Sequence, residues 1–439
     1  MKLLHRFLPV WAYTRLIGSW DKNGLRKYAK NTWWMVVGRF ALYPVSIVVI
    51  ASVARYLGPV GLGQLSYAQS IVGIIGTITA LGIDQILVRD LILKPQKSNE
   101  ILGTALSIQL LMSVLAFFGL VAALFVLKTD HQKVLVVLFA ASTMIAGPFA
   151  MGANLFSAQA LSKYPTIITL TTRIVIAALK LLGVFIGVPL VYFAVLFLVE
   201  SALGSVLTLY YCRKILNSTL SSWFFSFSMF KRLLHDSWPL LISATSVYLF
   251  ARIDQVLLQH FMGPASVGLY GAAVQLTDTW TFMPTLIIGS LYPATAGMYY
   301  SNHAEYTRRM KLLTMLALSI AVVVGAGIVL FAPFIVKIVY GDAFQGVVPI
   351  LRIYTVYVPI AVVYAILQNH LTTSNKTRTL VLIGIIGAIV NIALNIVLIP
   401  IYGAVGATLA TIIAGSIMIF IPFLMHTRRR VPASDPTHG

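Results

Sequence analysis

Charge is the scarcest property of this chain. Asp, Glu, Lys and Arg make up 10% of its 439 residues, against roughly a quarter in soluble domains, while 59% are hydrophobic and the mean hydropathy is +0.89. A soluble globule has no means of covering that much apolar surface, so the class is a polytopic membrane protein. Alternating strands are missing too. The apolar stretches run unbroken for about 20 residues or more, as from Ile101 to Leu127, which excludes an outer-membrane barrel and leaves an all-α fold. With a single cysteine, Cys212, no internal disulfide is available, and helix packing in lipid has to hold the structure. Walker loop, nucleophile elbow, paired-carboxylate loop and His/Cys metal cluster are all lacking, and the eight histidines are scattered. A transporter rather than an enzyme is expected, without a cofactor and without ATP as direct energy source.

Acid is scarcer than base: 12 Asp and Glu face 32 Lys and Arg, for a net charge of +20. Where the cations sit decides what they mean. Hydropathy predicts twelve spans, near 33–54, 66–88, 101–127, 134–156, 164–187 and 190–211, then 238–261, 267–292, 312–339, 347–369, 380–399 and 404–425. With the N-terminus inside, the inner segments hold 23 cations and the outer ones only Arg55, Lys128, Lys133 and Lys337. That is the positive-inside pattern of an even number of spans with both ends in the cytoplasm, and nucleic acid is not an expected partner. Residues 1–20 lack the apolar core of a cleavable signal, and Leu3, Leu4, Phe7, Leu8 and Trp11 recur at helical spacing beside Arg6 and Arg15. A basic interfacial helix within a cytoplasmic segment 1–30 is predicted there.

The sequence repeats itself once. Tyr56-Leu-Gly-Pro-Val-Gly-Leu-Gly63 follows the first span as Phe261-Met-Gly-Pro-Ala-Ser-Val-Gly268 follows the seventh. Each half then holds six spans, and because six is even the halves share one orientation, related by a pseudo-two-fold along the membrane normal. The predicted lobes are 31–211 and 238–425, with a tail over 426–439. Between the lobes, 212–237 combines Arg213, Lys214, Lys231 and Arg232 with Trp223, Phe224, Phe225, Phe227 and Phe230, as befits a linker lying in the inner interface.

Several stretches carry a family resemblance: Arg55-Tyr-Leu-Gly-Pro59, Leu81-Gly-Ile-Asp84 with Arg89, Leu233-Leu-His-Asp-Ser-Trp-Pro-Leu240, Arg252-Ile-Asp-Gln255, Val267-Gly-Leu-Tyr-Gly-Ala272, and Asn391 and Asn395 before Ile399-Pro-Ile-Tyr-Gly-Ala-Val-Gly-Ala407. In that order and spacing, over nearly its full length, the chain resembles the polysaccharide repeat-unit flippases (the Wzx type, serving O-antigen and exopolysaccharide) of the multidrug/oligosaccharidyl-lipid/polysaccharide exporter superfamily. The resemblance implies a MATE-like, two-lobed inner-membrane protein. It implies movement of an undecaprenyl-pyrophosphate-linked oligosaccharide from the cytoplasmic to the periplasmic leaflet by alternating access, in lipopolysaccharide or exopolysaccharide biosynthesis. A polysaccharide polymerase and a chain-length regulator are the partners it brings with it, besides membrane lipid.

Nine charges lie within or at the edges of spans: Arg39, Arg173, Lys180, Arg252 and Arg352, with Asp84, Glu200, Asp254 and Asp278. At about 2.5 to 3.5 kcal/mol each near a helix centre, they cannot all face lipid. A wet cleft lined by arginine would suit a pyrophosphate. Arg39, roughly 12 Å deep, and Arg252 would bracket the midplane. In the family resembled, spans 1, 2, 7 and 8 line the cleft, which favours Arg39, Arg252 and Asp278. Arg252 and Asp254 point about 200° apart, so Arg252 is assigned to the cleft, with Gln255 and Gln259 on its face. Asp278 is placed to pair with Arg252 or to share a coupling H+ or Na+ with it, and Asp254 is a second candidate for coupling. The remaining charges have structural readings: Asp84 pairing with Arg89 or Arg39, a salt-bridged cluster of Arg173, Lys180 and Glu200, and Arg352 snorkelling to the outer interface. Pro44 and Pro359 are hinge candidates, and Asn391 and Asn395 a polar stripe bonding across helices. Two other functions stay open: a multidrug or cation antiporter of the same superfamily, and a membrane-embedded polysaccharide polymerase or ligase.

Overall fold

A computed structural model describes residues 22–126, 143–296 and 298–427, with 134, 137, 138 and 141 between the first two stretches. The predicted interfacial helix of 1–20, most of the first turns of the fourth span and the tail beyond 427 lie outside the described residues. Every regular element among the described residues is α-helical or a short 3-10 turn. Among the described residues, eight helices are long and apolar enough to cross a membrane. Two of them, Leu42–Leu93 and Thr377–Pro422, each contain two of the predicted spans, because helices run together across kinks at Gly58 and Gly403.

The repeat seen in the sequence is a repeat of backbone conformation. Gly58 has φ +65° and Gly263 φ +81°, a left-handed geometry that costs glycine nothing. Each is followed by a proline, whose missing N–H suits a helix start. The tenth predicted span is likewise interrupted: Val347–Tyr354 ends, two residues turn, and Tyr357–Thr373 begins. Pro359 sits in that new first turn, where its lack of an N–H is tolerated.

The chain divides into two compact units, up to Ala244 and from Thr245 onward. The division falls inside the helix Phe227–Met262 rather than in the aromatic linker, because the linker is fastened to the first unit. Phe224 N–H donates to Asn99 O (3.3 Å) and Ser226 N–H to Thr104 Oγ1 (3.0 Å), while Trp223 Nε1 donates to Ser218 Oγ (2.9 Å) within the linker itself. The backbone at Phe224 comes so close to Gly103 that a Cβ there would lie 2.3 Å from Phe224 N. Trp223 is buried, while Phe224, Phe225 and Phe227 are exposed and Lys231 Nζ lies 4.8 Å over the Phe227 ring.

Small residues fill the tightest helix contacts. Ala54 and Ala68 in the first unit, and Ala407, Ala410 and Ala414 in the second, are fully buried, as expected where van der Waals packing rather than hydrophobic expulsion joins helices. Large apolar side chains point outward instead: Phe118, Phe185, Leu330 and Phe420 are all at least 64% exposed, a surface that only lipid covers.

Candidate functional site

Among the described residues of the second unit, Asp254 is the most buried charge, 2% exposed, and lies about two turns before the end of the helix Phe227–Met262. Both its oxygens are engaged. Gln255 N–H donates to Oδ1 (2.7 Å), and the Tyr270 hydroxyl donates to Oδ2. Tyr270, fully buried, is in hydrogen-bonding contact with Thr411. Asn391 Nδ2 reaches Thr411 Oγ1 at 3.5 Å, and Asn395 Nδ2 bonds Asn391 Oδ1 at 3.0 Å. A polar chain therefore crosses four predicted spans, and the asparagine stripe does bond across helices. Its far end is incomplete, because Asn395 Oδ1 is buried with no hydrogen-bond partner. Tyr270 and Thr411 were not singled out in the sequence. The available signal was a tyrosine within the otherwise small and apolar stretch Val267-Gly-Leu-Tyr-Gly-Ala272.

Arg252 is half-buried and within electrostatic reach of both Asp254 and Asp278. Asp278 keeps an accessible carboxylate while lying near Arg252 and two tyrosines, Tyr354 and Tyr357. The structure thus brings Arg252, Asp254 and Asp278 together. It corrects the expectation for the two glutamines. Gln255 is 2% exposed, and Gln259 has a buried Oε1 with no partner, because from Asp254 onward their own unit covers this stripe. Arg39 lies in the helix Lys22–Ala80, but its side chain is outside the described residues.

The first unit corrects two expected pairings. Asp84 does not pair with Arg89; it accepts a hydrogen bond from Asn154 Nδ2 at 2.9 Å. Arg89 instead bridges Asp90 and Asp236, each at 3.1 Å, and Arg232 also pairs with Asp90, whose side chain is 4% exposed. This four-charge cluster was hidden from the sequence because its two halves, Arg89 with Asp90 and Arg232 with Asp236, lie over 140 residues apart. Among the described residues no ion pair joins Arg173, Lys180 and Glu200. Lys180 is in electrostatic reach of the other two, but its Nζ lies 5.5 Å over the Phe197 ring. Arg173 is exposed on a face turned by about 180° from Leu182, which belongs with Phe185 to the outward apolar surface.

Arg352, in the second unit, is not a free snorkelling charge. Its Nε donates to Val329 O at 3.2 Å. That carbonyl lies four residues before Pro333, inside the helix His303–Tyr340, and proline has no N–H to give it. The guanidinium supplies the missing donor. Among the described residues, no group of three or more His, Cys, Asp or Glu is placed to hold a metal ion.

A family model described as polysaccharide biosynthesis protein matches residues 28–298, and one described as lipid II flippase MurJ matches residues 165–437. Two curated relatives come from Haloferax volcanii. The probable flippase AglR is 26% identical over 38% of this chain and 37% of its own length. The probable low-salt glycan biosynthesis flippase Agl15 is 23% identical over 42% and 40%. The matches thus span about two fifths of those relatives. A solved lipid II flippase MurJ in an inward closed conformation shares the fold at a TM-score of 0.73, with 16% identity over 90% of this chain and 87% of that one. An inward-facing multidrug resistance MATE transporter does so at 0.70, with 15% identity over 88% and 94%. The chain belongs to the polysaccharide biosynthesis protein family, whose model matches more than half of it, and it shares its fold with the solved MurJ and MATE structures.

Proposed function

We propose that this protein moves an undecaprenyl-pyrophosphate-linked oligosaccharide repeat unit from the cytoplasmic to the periplasmic leaflet of a bacterial inner membrane, for O-antigen or exopolysaccharide assembly. Twelve spans in two six-span lobes would work by alternating access, with both termini in the cytoplasm. No covalent chemistry is involved, and a polymerase and a chain-length regulator would take over the product. The observation that carries this reading is Arg252, a half-buried guanidinium within the helix Phe227–Met262. Facing hydrocarbon it would cost about 2.5 to 3.5 kcal/mol or more, whereas a diphosphate can accept its forked N–H groups. Arg39 is its proposed counterpart.

Coupling to H+ or Na+ is proposed at Asp254, with Asp278 as the accessible partner. The fit rests on oxygen: the Asp254 carboxylate, Thr411, Asn391 and the unpartnered Asn395 Oδ1 are hard donors of the kind that a proton or a small hard cation takes. In proteoliposomes carrying a labelled lipid-pyrophosphate-linked oligosaccharide, Arg252→Gln is expected to cut translocation by about tenfold or more, as loss of a charged contact worth roughly 1.5–3 kcal/mol requires. Asp254→Asn is expected to leave slow exchange but remove its response to an imposed ion gradient. Wild-type rates from Arg252→Gln would remove the cationic-site proposal, and drug-cation efflux driven through Asp278 would favour the antiporter.

A further inference from the structure

The first unit contains a cavity of about 660 Å³, with Gly76, Thr77, Asp84, Gln109, Ser113 and Asn154 among its walls, within the size range of ligand pockets. Its wall includes the place where the predicted fourth span is broken. Thr143–Ala146 and Ala153–Ala158 are α-helical, but Gly147–Gly152 between them is a 3-10 segment. Carbonyls along this break take donors from the helix Leu190–Leu216: Ser201 Oγ to Thr143 O (3.3 Å), Ser205 Oγ to Ala146 O (2.7 Å) and Cys212 Sγ to Gly152 O (3.4 Å). Irregular backbone at membrane depth persists only where protein satisfies it or where it lines a cavity, and interrupted helices mark binding sites in transporters.

The lining chemistry is selective. Among the described residues that form it there is no Lys, no Arg and no aromatic ring. A phosphate would lack its cations there, and an organic cation its aromatic faces. What remains is largely apolar, and its hydrogen-bonding groups are the Asp84 carboxylate with the hydroxyls and amides of Thr77, Thr79, Gln109, Ser113, Thr143 and Asn154. Asp84 has an amide partner, Asn154, and no ion pair among the described residues. Gln109 uses its Nε2 on Ala80 O at 3.4 Å and keeps its carbonyl oxygen as an acceptor. A carboxylate, amide oxygens and hydroxyls together match sugar hydroxyls, which both donate and accept.

We propose that this cavity is a subsite for neutral sugar residues of the lipid-linked glycan, separate from the Arg252 region; the inference rests on the flippase reading. Gly76 provides the test, because a Cβ there would meet nothing within 4 Å and a larger side chain grows into the void. The full chain in phospholipid nanodiscs, free of glycoside detergent, would be examined by saturation-transfer NMR with N,N′-diacetylchitobiose, lactose and mannobiose. Gly76→Leu should reduce the signal of the disaccharide that binds by roughly tenfold. Gly119→Leu, where a Cβ also meets nothing within 4 Å but which lies outside the cavity, should bind as wild type. Should Gly76→Leu fail to accumulate, Asn154→Ala, which removes an amide without adding bulk, replaces it. Undiminished binding in the cavity variant, no binding of any of the three to wild type, or displacement of the sugar by tetraphenylphosphonium overturns the subsite. Inorganic pyrophosphate, titrated in parallel, should bind wild type and Gly76→Leu alike. Its loss in Gly76→Leu would overturn the neutral-sugar assignment, whereas its failure to bind either protein would count against the flippase reading and leave the sugar result standing.

Discussion

Arg352 and Pro333 illustrate how one residue's deficiency sets another's role. The proline leaves Val329 O without its helical donor, and Arg352 Nε fills the place at 3.2 Å. Arg352→Met should therefore lower stability by about 1–3 kcal/mol, the cost of leaving a carbonyl without a donor on a surface that faces hydrocarbon rather than water. Adding Pro333→Ala, which restores an N–H at the correct position, should recover most of it. A double-mutant cycle by thermal denaturation in detergent checks this, and a charge that merely sought the interface would show no such coupling. Asp90 makes a complementary case. Its side chain is 4% exposed and it pairs with both Arg89 and Arg232, but those arginines are 54% and 33% exposed and stay partly solvated, so Asp90→Ala should destabilise the first unit by only about 1 kcal/mol. Neither partnership could be read from the sequence. The residue types were visible, but which donor meets which acceptor depends on helices brought together across many residues. What was legible were local consequences: Asn391 and Asn395, four apart, sharing a face and bonding a neighbouring helix.

Elements follow the sequence where backbone chemistry is local. The two Gly-Pro turns adopt the same left-handed geometry, and the break ahead of Pro359 falls where a proline permits a new helix to begin. The break at Gly147–Gly152 was missed, although Gly147-Pro148 is a local signal for it, because apolar periodicity over 134–156 outweighed two residues. Docking of the aromatic linker was invisible for another reason: it depends on the absence of a side chain at Gly103. Gly103→Ala would place a Cβ against the Phe224 backbone and should cost about 1–3 kcal/mol through overpacking. Chymotrypsin should then cut after Phe224 or Phe225 faster than in wild type. Equal cleavage rates would show that the linker is held by its hydrogen bonds alone.

At the scale of the whole molecule, composition determined the class and the charge asymmetry determined the expected topology. That topology has a direct consequence for labelling. A cysteine introduced at Asp342, beside the outer cation Lys337, should react with an impermeant maleimide in intact spheroplasts. One introduced at Asn375, next to Lys376 on the predicted inner side, should react only after permeabilisation, and the reverse result would invert the proposed orientation. The native thiol does not interfere. Cys212 is fully buried and directs its sulfur at the Gly152 carbonyl, 3.4 Å away. Because that lone sulfur is sequestered by its structural task, the unaltered protein is already a dark background for fluorescence and spin-label spectroscopy, and any dye or nitroxide installed elsewhere would report from a single known address.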